Sequence, residues 1–384
     1  AEMALMQIMN NTRQMDIISI VGMPISMNSM LMNCAVVIQR GKILGIVPKT
    51  YLPNYKEFYE QRWFASSKNL SDSTIHLCGQ TVPYGSNLLF DTSDTCFGIE
   101  ICEDVWAPIP PSSSLALKGA EIIFNLSADN ESIGKYFYLR SLLAQQSARC
   151  IAGYVFSSCG FGESTTDVVF DGKGLIYENG TLLAESERFS IKEQLIISEI
   201  DVERIHNERR TNTTFAANIA HNSNKEAIHV ATELVNPRET ILTRTIEAHP
   251  FVPKGEELNK RCEEIFAIQV AGLAKRLVHT NSKTVVVGIS GGLDSTLALL
   301  VCAKTFDKLE LPRKGIIGIT MPGFGTTDRT YNNALHLMSS LGITIKEISI
   351  KEACIQHFKD IEHDMTVHDV TYENSQARER TQIL

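Results

Sequence analysis

Short apolar runs alternate with amphipathic stretches along the N-terminal half of the chain. Residues 16–25 (DIISIVGMPI), 34–39 and 42–47 are strand-like, and the Arg40-Gly41 pair between the last two predicts a two-residue hairpin turn. Residues 97–101 and 121–125 predict buried strands. Between residues 168 and 185, the runs VVF, LIY and TLLAE are separated by Asp171-Gly172 and Asn179-Gly180, which predicts a meander. Residues 137–150 place Leu139, Leu142, Leu143 and Cys150 on one helical face, and residues 1–15 (AEMALMQIMNNTRQM) predict a Met-lined helix packed on the core. Strands and helices in alternation make this an α/β domain.

After about residue 200 the periodicity gives way to polar residues punctuated by Pro237, Pro250 and Pro253. The chain therefore divides into a first domain at residues 1–205, a linker at 206–255 and a second domain at 256–384. The second opens on a helix from Glu256 with Leu258, Cys262, Ile265, Phe266, Gln269 and Leu273 on one stripe. Strands at 284–289, 315–321 and 343–350 then alternate with helices at 294–306, 328–341 and 352–361, the opening of a doubly wound parallel sheet. Such sheets usually have about five strands, so the second domain is expected to be cut short.

Composition narrows the function classes. Lys and Arg number 36 against 44 Asp and Glu, a net charge of −8 that repels polyanions, so nucleic acid is not an expected partner. No apolar run is long enough for a membrane helix, and the chain does not open with a basic segment before an apolar one. The expectation is a cytoplasmic protein with no membrane partner. The nine cysteines are scattered with no C-x-x-C pair, which argues against a disulfide framework and a structural zinc site.

The sharpest chemical signal is SGGLDS at residues 290–295, between the apolar run VVVGI and a predicted helix. Gly291 and Gly292 let the backbone approach phosphate oxygens, N–H groups at a helix start supply partial positive charge, and Ser290 and Ser295 add hydroxyls. The loop lacks a Walker lysine. Asp294 repels a bare phosphate, which points to Mg2+ between them. The segment resembles the SGGxDS loop of ATP-pyrophosphatase synthetases, which split ATP between its α and β phosphates, and more narrowly that of NAD synthetases. TMPGFGTTDRTYNNA (320–334) and YENSQARER (372–380) extend the likeness. The resemblance implies a Rossmann-like domain of the adenine nucleotide alpha hydrolase type, with Gly288, Ser290, Gly291, Gly292, Asp294 and Ser295 binding ATP. It further implies Asp294 as a metal ligand and Asn374, Arg378 and Arg380 as deamido-NAD contacts. His363, Asp364, His368 and Asp369 stand at no ligand-like spacing and read as a solvated loop.

In the first domain Cys102 ends the apolar run FGIEI, where a turn would expose its sulfur. A thiolate attacks carbonyls far better than a thiol, and it needs a cation nearby. Lys49 follows the strand at 42–47 directly and could supply one, also stabilising an oxyanion. ICEDVWAPIPP (101–111) and PKTYLPNYKEFYEQRWF (48–64) resemble the nitrilase superfamily, specifically the glutamine-amidase domain that precedes NAD synthetase. That likeness implies an α-β-β-α sandwich, Cys102 as nucleophile, Lys49 beside it and Glu57 as a further catalytic carboxylate. It also implies Tyr55, Glu103, Asp129 and Lys135 as glutamine contacts. The family's first glutamate has no match before Lys49, so the chain is expected to be a fragment of a longer protein.

Together the likenesses imply a glutamine-dependent NAD synthetase, consuming glutamine, ATP with Mg2+, and deamido-NAD, with a protected passage for ammonia and a homo-oligomeric state. Two alternatives stay open: an ATP-pyrophosphatase amidotransferase acting on another carboxylate, and a non-catalytic scaffold.

Overall fold

The computed structural model describes residues 1–69, 73–163, 168–221, 226–234, 241–252, 255 and 258–384. Pro237, Pro253 and Glu256 lie outside the described residues. The chain forms two units, Ala1–Ile246 and Glu247–Leu384.

The first unit begins with α1 (Glu2–Asn11), β1 (Ile18–Met27), β2 (Met30–Gln39), β3 (Lys42–Pro48), β4 (Ser73–Leu77) and β5 (Gln80–Tyr84), whose strands form a sheet ordered β1-β2-β3-β5-β4. It continues through β6 (Leu88–Asp91), β7 (Cys96–Ile101), α2 (Pro111–Leu117), β8 (Ile122–Ser127), α3 (Lys135–Cys150), β9 (Gly153–Ser158), β10 (Gly174–Glu178) and β11 (Thr181–Glu185). Then come α4 (Val202–Thr211), α5 (Thr213–His221) and β12 (Ile228–Ala231), and the second sheet runs β11-β10-β9-β8-β7-β6-β12.

Strand alternation explains the layering, because successive side chains point to opposite faces. In β2, Met32, Cys34, Val36 and Ile38 pack with Leu5 and Met9 of α1, whereas Ala35 and Val37 face the other sheet, meeting Phe90, Phe97 and Ile99. In the second sheet, Leu89, Ile123, Tyr154 and Phe156 turn outward onto Leu115 of α2 and Leu139 and Leu143 of α3. The order is helix, sheet, sheet, helix: the α-β-β-α sandwich.

Three expectations change. α1 packs on the core as expected, through Leu5 and Met9, but Met3 and Met6 are exposed, so only one residue of the methionine stripe is buried there. The meander reduces to one hairpin, β10 with β11. Phe170 makes only an isolated bridge to Asn130, and Asp171 is drawn into a buried ionic group instead of a turn between strands. Residues 206–255, expected as a linker, carry much of α4, all of α5, and β12, which pairs in parallel with β6. Their polar residues are structural. Arg209 donates to the carbonyls of Ala120, Cys150 and Ile151, and Arg244 meets Glu178 Oε2 at 2.6 Å.

The second unit contains α6 (Leu258–Thr280), β13 (Val285–Gly288), α7 (Leu293–Lys308), β14 (Ile316–Thr320), α8 (Asp328–Ser340), β15 (Thr344–Glu347), α9 (Lys351–Asp360) and α10 (Val370–Ile383). Its strands are parallel in the order β13-β14-β15, and each pair is joined through a helix, as the alternation predicts. Leu299, Phe306, Ile316, Ala334 and Met338 fill the core. α6 buries Val270, Ala274 and Leu277, whereas Leu258, Cys262 and Ile265 of the expected stripe are exposed. The solvated-loop reading also fails at His363. Its Nε2 lies 2.9 Å from Asp369 Oδ1, which in turn caps α10 by accepting from Tyr372 N.

Asn179 and Gly180 join β10 to β11 with positive φ at both residues, +43° and +84°. A Cβ added at Gly180 would stand 3.0 Å from the Ala148 side chain. Gly180→Ala should therefore lower the stability of the first unit by about 1–2 kcal/mol, read as a lower urea midpoint with an unchanged slope.

Candidate active site

β7, β8 and β9 run parallel in register, with Ile101 beside Leu126 and Leu126 beside Ser157. Their C-terminal ends open together, and Cys102 is the first residue beyond β7. It is held in the left-handed region, φ +46°, which costs a non-glycine residue about 1 kcal/mol or more. The surroundings over-determine that turn. Cys102 N donates to Asn125 Oδ1 at 3.0 Å, Asn125 Nδ2 donates to the Tyr154 hydroxyl at 3.1 Å, and that hydroxyl donates to buried Glu100.

A buried carboxylate ties this turn to the one carrying Lys49. Asp104 accepts from Ile101 N at 2.9 Å, Tyr51 N at 2.7 Å and Thr50 N at 3.2 Å. Burial and the nearby Glu100 outweigh those donors and push its carboxyl up to about 7. Lys49, only 3% exposed, ends its strand with its N–H on Asn33 O at 2.8 Å and its ammonium 2.5 Å from Glu60 Oε2. Asn33 Nδ2 donates to the other Glu60 oxygen at 2.7 Å, fixing the carboxylate from both sides.

Cys102, Lys49 and Glu60 line one cavity of about 550 Å³, with Ser127, Ser158 and Glu163 on its walls. Burial raises the pKa of the Cys102 thiol. The Lys49 charge and the Ser127 hydroxyl act the other way, while Asp129 adds to the rise. The chemistry available is a thiol whose ionised form is favoured by one buried ammonium, which also faces any oxyanion formed in the cavity.

The remaining residues singled out in this unit fall around that centre. Tyr55 donates to Glu103 Oε1 at 2.8 Å. Burial and Glu103 raise the pKa of the Tyr55 phenol, and burial raises that of Glu103. Asp129 and Lys135 pair with each other at 2.6 Å. Glu57 is exposed and accepts from Asn130 Nδ2 at 2.8 Å. The carboxylate on Lys49 is therefore Glu60, not Glu57. Sequence reasoning missed it because residues 49–60 fold back without periodicity, so spacing alone does not choose between the two.

In the second unit Gly292 caps α7, and the Ser290 and Ser295 hydroxyls lie 3.1 Å apart at its start, with Asp294 in the first turn. Gly291 has φ +81°, and a Cβ there would fall 2.0 Å from the Thr330 carbonyl oxygen. Only glycine fits, and it sets the loop against the first turn of α8. Gly288 abuts Met321 and Leu384 side chains. In α10, buried Gln376 accepts from Phe324 N at 3.1 Å, and Arg380 reaches the same turn beside Gly323, whereas Asn374 and Arg378 are exposed. Among the described residues no three His, Cys, Asp or Glu side chains gather as a metal-holding group. The exposed Asp294 carboxylate is a hard oxygen donor of the kind Mg2+ accepts when phosphate supplies further oxygens.

The carbon-nitrogen hydrolase family matches residues 2–210. The chain belongs to that family. Beyond the carbon-nitrogen hydrolase unit, residues 265–384 match the NAD synthase family. Among curated relatives, the glutamine-dependent NAD(+) synthetase of Mycobacterium tuberculosis is 40% identical over all of this chain and 58% of its own length. That of Mycobacterium leprae is 41% identical over 95% of this chain and 55% of its own, and that of Aquifex aeolicus 29% over 100% and 61%. The chain thus spans a little over half the length of these relatives.

Two outcomes follow from the carbon-nitrogen hydrolase unit. Because the carboxyl of Asp104 titrates higher in the folded chain than its usual 3.8, its contribution to stability is full below about pH 4 and is lost as pH rises towards 7. The stability difference between the unaltered protein and Asp104→Asn, from urea midpoints, should shift against the unaltered protein across that window by up to about 1.4 kcal/mol per pH unit. Lys49→Met removes the cation facing the Cys102 thiol. Iodoacetamide labelling of Cys102 at pH 7.5, followed by peptide mass spectrometry, should slow by about tenfold or more.

Proposed function

We propose that the chain carries out glutamine-dependent synthesis of NAD, with the carbon-nitrogen hydrolase unit releasing ammonia and the second unit using it. The observation that carries this reading is the strained Cys102 turn sharing one cavity with the buried Lys49–Glu60 pair. Cys102 attacks the side-chain carboxamide of glutamine, and Lys49 faces the oxyanion of the tetrahedral intermediate. Glu60 keeps Lys49 oriented and neutralises it when the oxyanion is gone. Collapse breaks the C–N bond as the proton that left the Cys102 thiol passes to the nitrogen, which departs as ammonia, and water then cleaves the thioester to glutamate and restores the thiol. Tyr55 and Glu103, already bonded to each other, stand on the substrate side together with Asp129 and Lys135.

In the second unit the loop at residues 290–295 receives the phosphates of ATP, with backbone N–H groups at the start of α7 and the Ser290 and Ser295 hydroxyls as donors. Asp294 would hold Mg2+, which when bound offsets the negative charge of the phosphates. ATP adenylates the carboxylate of deamido-NAD with loss of pyrophosphate, and ammonia displaces AMP. Arg380, beside the turn at Gly323, serves the nucleotide substrate, and Asn374 and Arg378 extend that contact. The reading includes a homo-oligomer, as the family resemblance implies, working in the cytoplasm.

Cys102→Ala in the full-length protein tests it. NAD formation from deamido-NAD and ATP should fall by at least about a hundredfold with glutamine as donor and persist with ammonia. Unchanged activity with glutamine would refute the nucleophile, and absence of NAD with either donor in the unaltered protein would refute the synthetase.

A further inference from the structure

Next to the Cys102 cavity lies a group of charged side chains of which the chemistry above uses only Asp129 and Lys135. Lys173, 1% exposed, donates to Asp171 Oδ1 at 3.0 Å and to Glu131 Oε1, and stands 3.2 Å from Asp129 Oδ2. Arg188 donates to Asp171 Oδ2 at 2.7 Å and Glu131 Oε2 at 2.8 Å. Lys135 meets Asp129 Oδ1 at 2.6 Å and donates to Asn130 Oδ1 at 2.8 Å. Three carboxylates thus face three cations, and their formal charges cancel.

Stability alone is a poor reason for such a group, because buried ion pairs seldom hold a fold better than apolar packing of the same volume. What the group does fix is direction. Asp129 follows Ser127 and Ala128, which line the cavity, and its N–H donates to Ser158 Oγ at 3.1 Å. Its inner oxygen Oδ2 is buried and accepts no hydrogen bond, with the ammonium of fully buried Lys173 3.2 Å away as its ion-pair partner, while its outer oxygen meets Lys135, whose side chain keeps 18% exposure. Burial works against the charge on Lys173, yet Asp129, Glu131 and Asp171 outweigh it and raise its pKa. Lys173 is the fixed partner and Lys135 the exchangeable one.

We propose that Lys173 is the positioning residue of the glutamine site, holding Asp129 aimed from behind so that Lys135 can release it when the α-ammonium of the substrate takes its place. This rests on the reading of Asp129 and Lys135 as glutamine contacts. It makes the site selective for an amino acid with both charged groups free. A ligand lacking the ammonium would leave Asp129 short of a partner once Lys135 turned away.

Lys173→Met alone leaves three buried carboxylates with two cations and risks misfolding. The decisive variant is therefore the charge-balanced pair Lys173→Met with Glu131→Gln, made in the full-length protein. The expected result is a KM for glutamine raised about tenfold or more, with kcat within a few-fold and ammonia-dependent NAD formation unchanged, since the buried ion-pair partner of Asp129 is lost only where glutamine binds. Lys173→Arg should recover part of that loss. Adding Asp129→Asn to the charge-balanced pair should raise KM little further, because both changes remove one interaction. A KM within twofold of the unaltered value, a fall in kcat with KM unmoved, or additive effects of Asp129→Asn would overturn the role of Lys173. Absence of glutamine turnover in the unaltered protein would overturn both this proposal and the reading beneath it.

Discussion

An ammonium group taken out of water must find a carboxylate, and the first unit is arranged around that requirement at Lys49. With 3% of its surface exposed, Lys49 is tolerable only because Glu60 lies against it, and Glu60 is held only because Asn33 donates to its second oxygen. Asn33 belongs to β2, next to the strand that Lys49 directly follows. The hairpin geometry of the first sheet therefore decides where the charge stands, and the second sheet brings the thiol to it. Neither sheet alone makes a site.

Most of this architecture could be read from residue patterns because it depends on local rules. The Arg40-Gly41 turn, the apolar runs of β1 to β3 and the amphipathic face of α3 follow from alternation and turn chemistry, and so does the strand-loop-helix order around SGGLDS. Cys102 was legible as a strand-end residue, and Lys49 likewise. The strain at Cys102 was not, since nothing in FGIEICED marks a left-handed residue.

What was hidden depends on contacts between distant segments. Glu57 and Glu60 are equally plausible as neighbours of Lys49 until the intervening loop is folded, and the loop obeys no period. The span expected as a linker looked polar because its helices bury little, chiefly Ile205 and Phe215, and its arginines bond to carbonyls and carboxylates of earlier strands and helices. Likewise Asp171 looked like a turn residue, although its partners Lys173 and Arg188 draw it inward. On α6 a periodic apolar stripe existed, but packing against α7 selected a face centred on Val270, Ala274 and Leu277.

Asp104 also has a bearing on how the centre behaves as it breathes. One carboxylate grips the backbone on both sides of the cleft, at Thr50 and Tyr51 beyond Lys49 and at Ile101 before Cys102. Sulfur and ammonium are thereby coupled like two jaws on a single pivot. Removing that one side chain would therefore loosen both turns together, leaving Asn125 behind Cys102 and Glu60 beside Lys49 as their separate remaining supports.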